Sequence, residues 1–375
     1  MNIKTFELER IQSLYENTVD FNLTESGFHP YSISELLSID QQNELLNLNL
    51  GYGQTNGAIP LRKQIANLYD CKNEDQVLIT NGSAEANYVL CKTLLEKDDH
   101  VVIMVPNYMQ IWGIAEDMGC KVDGFHLRHE NGWKPDLNEL RNLITPDTKM
   151  IVVCNPNNPT GYVLSEAEMN EIVSIAKEND VWIHSDEIYR GSELNEIEIT
   201  SFYGLYDKCI VNGGLSKSYA LPGLRIGYLM GPIGFADQAW AYHDYTSIST
   251  GIVSQYVAQV ALQKENRTKI LSRSRKMLQE NLTMFTQWVN SYQDIFEFVP
   301  PKAGGMAFLK YKLDINSTEL SEWLRKEYSV FIVSGDCYGM DGYIRIGIGE
   351  RYDVLVKGLE IMKNALVKRF KLEEE

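Results

Sequence analysis

Long apolar runs are missing from the chain. No run approaches the roughly 20 residues needed to cross a bilayer, and the N-terminus lacks the apolar core of a signal peptide. We therefore expect a cytoplasmic protein with no membrane partner.

Cysteine is sparse and scattered. The six cysteines form no Cys-x-x-Cys pair and no close cluster with histidine, so no metal site is predicted. The sequence favours buried, free thiols in a reducing compartment.

Basic residues are outnumbered by acidic ones. Thirty-five Lys and Arg stand against 51 Asp and Glu, giving a formal net charge of -16, and no basic patch is visible. This composition argues against a nucleic-acid partner. The length of 375 residues suits one large domain plus a smaller one.

Short Val/Ile-rich runs alternate with helical patterns in the first two thirds of the chain. Helices are predicted at 84–96, 110–118 and 165–179, the last opening with a capping box at Ser165 and Glu168. Apolar runs without alternation are typical of strands buried on both faces, so we predict an α/β fold with a mostly parallel, helix-covered sheet. The strands of this sheet are predicted at 77–80, 101–105, 150–154, 181–185, 209–212 and 226–230.

A second set of elements follows a long helical pattern that runs from 254 to about 290. It has strands predicted at 304–309, 330–333 and 343–348 and a closing helix at 350–370, which indicates a smaller α+β domain. We predict a large domain over 46–250, a small domain over 1–45 and 280–375, and an interdomain helix over 251–279.

Polar residues follow several of the predicted strands, where open parallel sheets bind ligands. Gly82 and Ser83 open a helix whose N-terminus favours an anion, although a capped turn is the alternative. Asn158 lies in the Asn-Pro-Asn-Asn-Pro-Thr-Gly turn at 155–161 and can point its amide into the crevice; a plain turn is the alternative.

Three charged residues at strand ends suggest a cofactor. Lys217 lies in a small, hydroxyl-rich loop, where an amine can form a Schiff base with a carbonyl, and Arg225 can hold a phosphate. Pyridoxal phosphate carries both groups. Asp186 ends an apolar strand and needs a partner such as a pyridinium N–H, which would let the ring accept electrons. A solvated lysine and a helix N-cap are the plainer alternatives.

The order and spacing of Asn158, Asp186, Tyr189, Lys217 and Arg225 resemble fold-type I pyridoxal-phosphate aminotransferases of class I/II over roughly residues 20 to 350. The resemblance implies that fold, pyridoxal 5'-phosphate as cofactor, and a ping-pong transfer of an amino group between an L-amino acid and a 2-oxo acid. It also implies a homodimer with shared active sites.

The resemblance further implies roles for individual residues. Lys217 would carry the cofactor and act as general acid and base, Asp186 would pair with the ring nitrogen, and Asn158 and Tyr189 would bind the ring 3'-oxygen. Tyr108 would stack on the ring. The phosphate would be held by Ser83, the Ala84 amide, Ser216, Arg225 and, from the partner subunit, Tyr52. Arg345 would bind the substrate α-carboxylate, with Gly27 beside it.

Two positions depart from this pattern, Gly214 and the Val333-Ser334-Gly335 stretch where the family often has Pro-Gly, and the N-terminal segment carries a second resemblance. Gly214 replaces the Ser or Thr that usually stands three residues before the lysine, which removes one hydroxyl from the phosphate site. The segment around Gly27 and His29 resembles capreomycidine synthases, which cyclise a hydroxylated arginine. His29 could therefore face the substrate, but a capping or packing role before a helix is the interpretation we favour. Glu16 and Glu25 could bind a cationic side chain, but solvated surface is the interpretation we favour.

The main alternative function is a specialised pyridoxal-phosphate enzyme acting on an arginine-like amino acid, either a cyclase or an O2-dependent oxidase. A non-catalytic regulator is a third hypothesis. It is disfavoured because only about 20 residues precede the N-terminal segment, too few for a helix-turn-helix domain.

Overall fold

The computed structural model describes residues 3–371. Its strands are β1 Phe21–Asn22, β2 Val77–Asn81, β3 His100–Val105, β4 Lys121–Arg128, β5 Lys134–Pro135, β6 Thr148–Cys154, β7 Trp182–Asp186, β8 Cys209–Gly214, β9 Ile226–Met230, β10 Phe296–Phe298, β11 Met306–Tyr311, β12 Val330–Phe331, β13 Val333–Ser334 and β14 Tyr343–Gly347.

The helices enclose these strands. They are α1 Glu7–Tyr15, α2 Ile33–Leu36, α3 Ile39–Leu46, α4 Ile59–Asn67, α5 Ser83–Leu94, α6 Gln110–Asp117, α7 Leu137–Leu143, α8 Glu166–Glu178, α9 Phe235–His243, α10 Ile252–Ala261, α11 Lys264–Asn290, α12 Ser317–Tyr328 and α13 Tyr352–Phe370. None of the helices within residues 3–371 is long and apolar enough to cross a membrane.

The large sheet has the strand order β2-β9-β8-β7-β6-β3-β4-β5. Strands β8, β7, β6, β3 and β4 pair in parallel, whereas β9 runs antiparallel to both of its neighbours. Almost all residues of β3, β6, β7, β8 and β9 are buried, as their apolar runs predicted, because helices cover both sides of the sheet. Strand β4, which was not predicted, is only partly buried. The predicted fold class is confirmed.

The smaller sheet is antiparallel, with the order β10-β11-β14-β13. Its inner face packs on α11 and α13 through residues such as Leu309, Ile346, Phe285 and Leu359. The predicted strand at 330–333 is divided in two, because Val330–Phe331 pairs with β1 and Val333–Ser334 with β14. The predicted strand at 304–309 begins later, at Met306, since the Gly305 N–H is donated to the Ser26 carbonyl.

The long helical pattern after 254 is also divided, into α10 and α11. Gln263 between them is extended, and Val257 and Val260 of α10 pack instead with Leu37. The predicted capping box of α8 is confirmed, since the Ser165 hydroxyl accepts from the Glu168 N–H and the Glu168 carboxylate bonds back. The division into domains at 46–250, at 1–45 with 280–375, and at 251–279 stays a prediction.

The N-terminal segment runs between the two sheets. β1 pairs with β12 of the smaller domain, and the N–H groups of His29 and Tyr31 are donated to the carbonyls of Gly349 and Ala220. α1 is anchored by the buried Leu8. This path brings residues 8–27 to the carboxyl ends of the large-sheet strands, where the candidate site lies.

Candidate active site

A cavity of about 220 Å³ lies at the carboxyl ends of β6, β7 and β8. These parallel strands end next to one another, so the polar residues that follow them converge there. Most of the predicted site residues line this cavity: Ser83, Ala84, Tyr108, Asn158, Asp186, Tyr189, Ser216, Lys217, Arg225 and Arg345.

Lys217 projects into the cavity and pairs with a carboxylate. Its Nζ lies 2.6 Å from Oε1 of Glu25, and the same oxygen accepts the N–H groups of Ser26 and Gly27 at 2.8 Å each. Burial would raise the pKa of Glu25, but the Lys217 ammonium and its hydrogen bond bring it down to about 2. The lysine is thus held by an ionised acid contributed by the N-terminal segment.

Asp186 ends β7 with its side chain buried at 8% exposure. Burial raises the pKa of this carboxyl to about 6, against the opposing effect of the Ile188 N–H, which it accepts at 3.1 Å. Within residues 3–371 no cationic side chain forms a salt bridge with it. A buried carboxyl of this kind is suited to a cationic ligand atom such as a protonated ring nitrogen.

The turn between β2 and α5 forms an anion cradle with Arg225. The helix begins at Ser83 without a side-chain cap, which leaves its first N–H groups for a ligand. Arg225 has φ +52°, and its guanidinium lies against Gly82, where a Cβ would come within 2.5 Å of Nη2. Only glycine permits this approach. The side chain of Ser216 lines the same end of the cavity.

The packing around Gly214 explains the missing hydroxyl. A Cβ at this position would lie 2.9 Å from Ile188 Cδ1 and 2.9 Å from the Ile226 carbonyl oxygen. The space that a serine would occupy is therefore filled by Ile188, which itself lines the cavity. The hydrogen-bond donors that remain at this end of the cavity are Ser83, Ser216, Arg225 and the first N–H groups of α5.

Tyr108, Tyr189 and Asn158 surround the region between Lys217 and Asp186. The Tyr108 hydroxyl donates to Oε1 of Glu9 at 2.7 Å, and the Tyr189 hydroxyl donates to the Ser26 hydroxyl at 2.8 Å. Asn158 Oδ1 accepts from Arg345 at 2.9 Å. Each of these side chains is therefore oriented by a hydrogen bond to a neighbour.

Arg345 lies on β14 and is 1% exposed. Its Nη1 donates to Asn158 and its Nη2 to the Thr24 carbonyl at 2.5 Å, whereas Nε has no partner in the described part of the chain. Arg345 lines the cavity and forms no salt bridge within residues 3–371, and a buried cation of this kind is suited to an anion such as a carboxylate.

Three predicted residues do not line the cavity. His29 is turned away: its Nδ1 lies 2.8 Å from Glu350 Oε1, which agrees with the packing alternative rather than with substrate contact. Gly27 packs behind Lys217, where a Cβ would come within 3.3 Å of the lysine Cα. Tyr52 is 95% exposed and lies in a separate hollow with Leu50 and 249–253.

Sequence reasoning missed one wall of the cavity. Glu9, Gln12 and Glu16 line it from α1 and its C-cap, and Glu25 from the segment after β1. The interpretation of Glu16 and Glu25 as solvated surface is therefore corrected. The spacing i, i+3, i+7 places the first three on one helix face, but only the fold shows that this face meets the site.

Comparison with known proteins agrees with this geometry. The family described as "Aminotransferase class I and II" matches residues 37–357. An aromatic-amino-acid aminotransferase 2 from Thermococcus litoralis is 27% identical, with 84% of each chain covered. A capreomycidine synthase from Streptomyces vinaceus is 26% identical, covering 92% of this chain and 89% of the relative. The crystal structure of a PLP-dependent aminotransferase from Streptococcus suis superposes with a TM-score of 0.92 and 34% identity, with both chains fully covered.

The chain belongs to the class I and II aminotransferase family. It is a pyridoxal-phosphate-dependent transaminase that moves an amino group between an L-amino acid and a 2-oxo acid. The residues present fit this cofactor: Lys217 offers an amine, Asp186 a buried carboxyl without a cationic partner, and Gly82 with Arg225 a cradle for a phosphate.

Proposed function

We propose that Lys217 holds the coenzyme and that its Nζ carries the proton moved during amino-group transfer. Bound pyridoxal phosphate supplies an electron-accepting ring next to the substrate Cα. Lys217 projects into the cavity between Asp186 and Arg345, so its amine can reach a substrate atom held between them. The observation that carries this proposal is the convergence of Lys217, Asp186 and Arg225 in one cavity.

The other cavity residues bind and orient in this proposal. Asp186 would pair with the ring nitrogen, and Ser83, the Ala84 N–H, Ser216 and Arg225 would hold the phosphate. Tyr108 would lie against the ring face, and Asn158 and Tyr189 would contact its 3'-oxygen. Arg345 would bind the α-carboxylate through its planar guanidinium. Because these groups come from rigid strand ends, they fix the substrate without large rearrangement.

The test is Lys217→Ala, compared with Lys276→Ala on an exposed face of α11. We expect the first variant to lose turnover and the visible absorbance band of the lysine-linked coenzyme. The control should keep both. An intact absorbance band with normal turnover in Lys217→Ala would contradict the assignment.

We also propose that the enzyme is a homodimer in which Tyr52 completes the partner's phosphate site. Tyr52 does not line the cavity of its own chain, and it lies in a hollow with the apolar side chains of Leu50 and Val253, which are 80% and 40% exposed. Large exposed apolar side chains in one region are typical of a surface covered by another subunit.

Mixed dimers test the shared site. Tyr52→Ala and Lys217→Ala chains, each impaired alone, are denatured and refolded together in equal amounts. If sites are shared, half of the mixed population pairs an intact Lys217 with an intact Tyr52, and activity returns to about a quarter of wild type. Sites confined to one chain would give no recovery.

A further inference from the structure

The charged groups of the cavity do not balance once the proposed roles are assigned. Four carboxyl groups and three basic side chains line it. In the proposed function Arg225 holds the phosphate, Arg345 binds the α-carboxylate, Asp186 pairs with the ring nitrogen and the Lys217 amine is occupied by the coenzyme. The carboxylates left without a cation among the described lining residues are Glu9, Glu16 and Glu25.

Glu25 is the clearest of the three. In this structure its counter-ion is the Lys217 ammonium, and attachment of the coenzyme at that amine would take this ammonium away from the carboxylate. The carboxylate cannot turn away easily, because the N–H groups of Ser26 and Gly27 hold the same oxygen. Its side chain is still 45% exposed, which leaves it accessible to a ligand. A fixed carboxylate that loses its counter-ion in a confined site favours a new cation.

Glu16 and Glu9 extend the negative charge toward the cavity mouth. Burial raises the pKa of Glu16, and the charges of Glu25 and Glu9 raise it further. The three groups therefore repel one another across a short distance. A cation placed between them would relieve this repulsion, and Gln12 offers a further oxygen on the same wall.

Arg345 provides an independent observation at the other side of the cavity. Its buried guanidinium has an Nε–H without a partner in the described chain, so it is the anchor for an anion. A ligand with a carboxylate at one end and a positive charge at the other matches the two walls together. An amino acid with an acidic side chain would place its second carboxylate against the glutamates.

We propose that the amino donor is an L-amino acid with a cationic side chain, whose guanidinium or ammonium group is bound by Glu25 and Glu16, with Glu9 beside them. This rests on the proposed function, because the α-carboxylate must be bound by Arg345. It distinguishes the chain from relatives that are named for aromatic amino acids or aspartate.

Matched substrates test the charge directly. L-arginine is compared with L-citrulline, which has nearly the same shape but no charge, and L-lysine with L-norleucine. We expect kcat/KM to be about 10- to 100-fold higher for the cationic member of at least one pair, and the better pair separates guanidinium from ammonium. Equal or better use of both neutral members would overturn the proposal.

Variants then locate the recognition. Glu25→Gln and Glu16→Gln should each lower the ratio of kcat/KM for the preferred cationic substrate to kcat/KM for its neutral partner by about 10-fold or more. The ratio is the readout because Glu25 also contacts Lys217, so its loss can slow turnover of both substrates. Glutamine retains an oxygen that can accept the Ser26 and Gly27 N–H groups, so the loop is preserved. Glu7→Gln, on α1 but outside the cavity lining, is the matched control and should change neither value. Unchanged discrimination in both cavity variants would refute the assignment.

A binding measurement separates this proposal from the proposed function. The Lys217→Ala protein loaded with pyridoxamine 5'-phosphate cannot turn over an amino acid, so calorimetry gives Kd for L-arginine and L-citrulline directly. Tighter binding of arginine, lost in the Lys217→Ala/Glu25→Gln double variant, supports the cation site. If the enzyme transaminates neutral amino acids and binds arginine no more tightly than citrulline, only the cation site is rejected. If it transaminates no amino acid, the proposed function is rejected.

Discussion

At the scale of single residues, the buried carboxyl of Asp186 lowers the free energy of unfolding of the coenzyme-free protein when it is ionised. Burial raises its pKa to about 6, so the ionised form is disfavoured in the folded chain. Between the ordinary pKa near 4 and about 6, the folded protein binds a proton that the unfolded chain has released. The stability of the coenzyme-free protein therefore falls as pH rises through this window. Pairing with a cationic ring nitrogen would reverse that cost.

Asp186→Asn removes the titrating group. We expect the coenzyme-free variant to become more stable than wild type as pH rises from about 4 to 6, by roughly 1–3 kcal/mol at the plateau above, while activity is lost. Urea unfolding at several pH values measures this difference in stability. Burial also raises the pKa of Glu187, but this residue is present in both proteins, so its effect cancels in the difference. The stability difference between wild type and the control Asp207→Asn, at an exposed position, should not increase with pH. If the difference for Asp186→Asn also stayed constant with pH, the Asp186 charge would not be destabilising.

Residues that follow buried strands were predictable for a physical reason. Parallel strands place their carboxyl ends at one edge, so Asn158, Asp186 and Lys217 had to converge once the strands were identified. The position of His29 was not predictable, because its contact with Glu350 joins residues far apart in sequence. The reason for glycine at position 214 was also not predictable, because Ile188 occupies the neighbouring space only in the folded chain.

At the scale of elements, α1 forms a wall of the active site. Leu8 on its inner face is buried, and the Phe6 ring packs edge-on against the Tyr108 ring with 4.9 Å between centroids. Glu9 accepts a hydrogen bond from the Tyr108 hydroxyl. Three contacts over one short helix hold its polar face toward the cavity. Helices of this length are marginal alone, so this packing decides whether the helix persists.

Leu8→Ala should loosen this wall. Loss of a buried leucine removes about 2–5 kcal/mol of packing, which we expect to appear as faster hydrogen exchange in 7–15 and a higher KM for the amino acid. Leu14→Ala changes the same helix at a side chain that is 53% exposed and should alter neither measurement. Slow exchange retained in Leu8→Ala would show that other contacts hold α1.

Most elements of the large sheet were predicted to within one or two residues, because apolar runs and caps are local signals. The break between α10 and α11 was not predicted, because no Gly or Pro marks it and because Val257 and Val260 pack against Leu37, which is distant in sequence. The orientation of α1 was missed for the same reason. Periodicity gives the polar face of a helix but not its neighbour.

At the scale of the whole molecule, the N-terminal segment joins the two sheets, and Tyr52 lies in an exposed hollow with Leu50 and Val253. β1 pairs with the smaller domain, while residues 24–31 contact both the smaller domain and the Lys217 loop. The exposed apolar side chains near Tyr52 have no cover within the described chain. A second subunit is the cover that we propose.

Leu50→Glu should weaken that association. A charge in an apolar interface is costly, so we expect a larger share of monomer at micromolar concentration and lower activity that recovers as protein is concentrated. The control is Ile197→Glu. This side chain is 71% exposed and lies in a separate hollow with residues 193–200 and 300–302. Sedimentation measures both; a dimer unaffected by Leu50→Glu would place the interface elsewhere.

The placement of Glu9 and Glu16 has a consequence for how such enzymes diverge. The groups that one chain offers its own coenzyme lie between Ser83 and Arg225, whereas these two acids, like Glu25, lie within residues 9–25. We expect donor preference to change when this short segment is exchanged while the residues that hold the coenzyme are kept. Transplanting residues 3–27 onto a relative of different preference would use that separation for engineering.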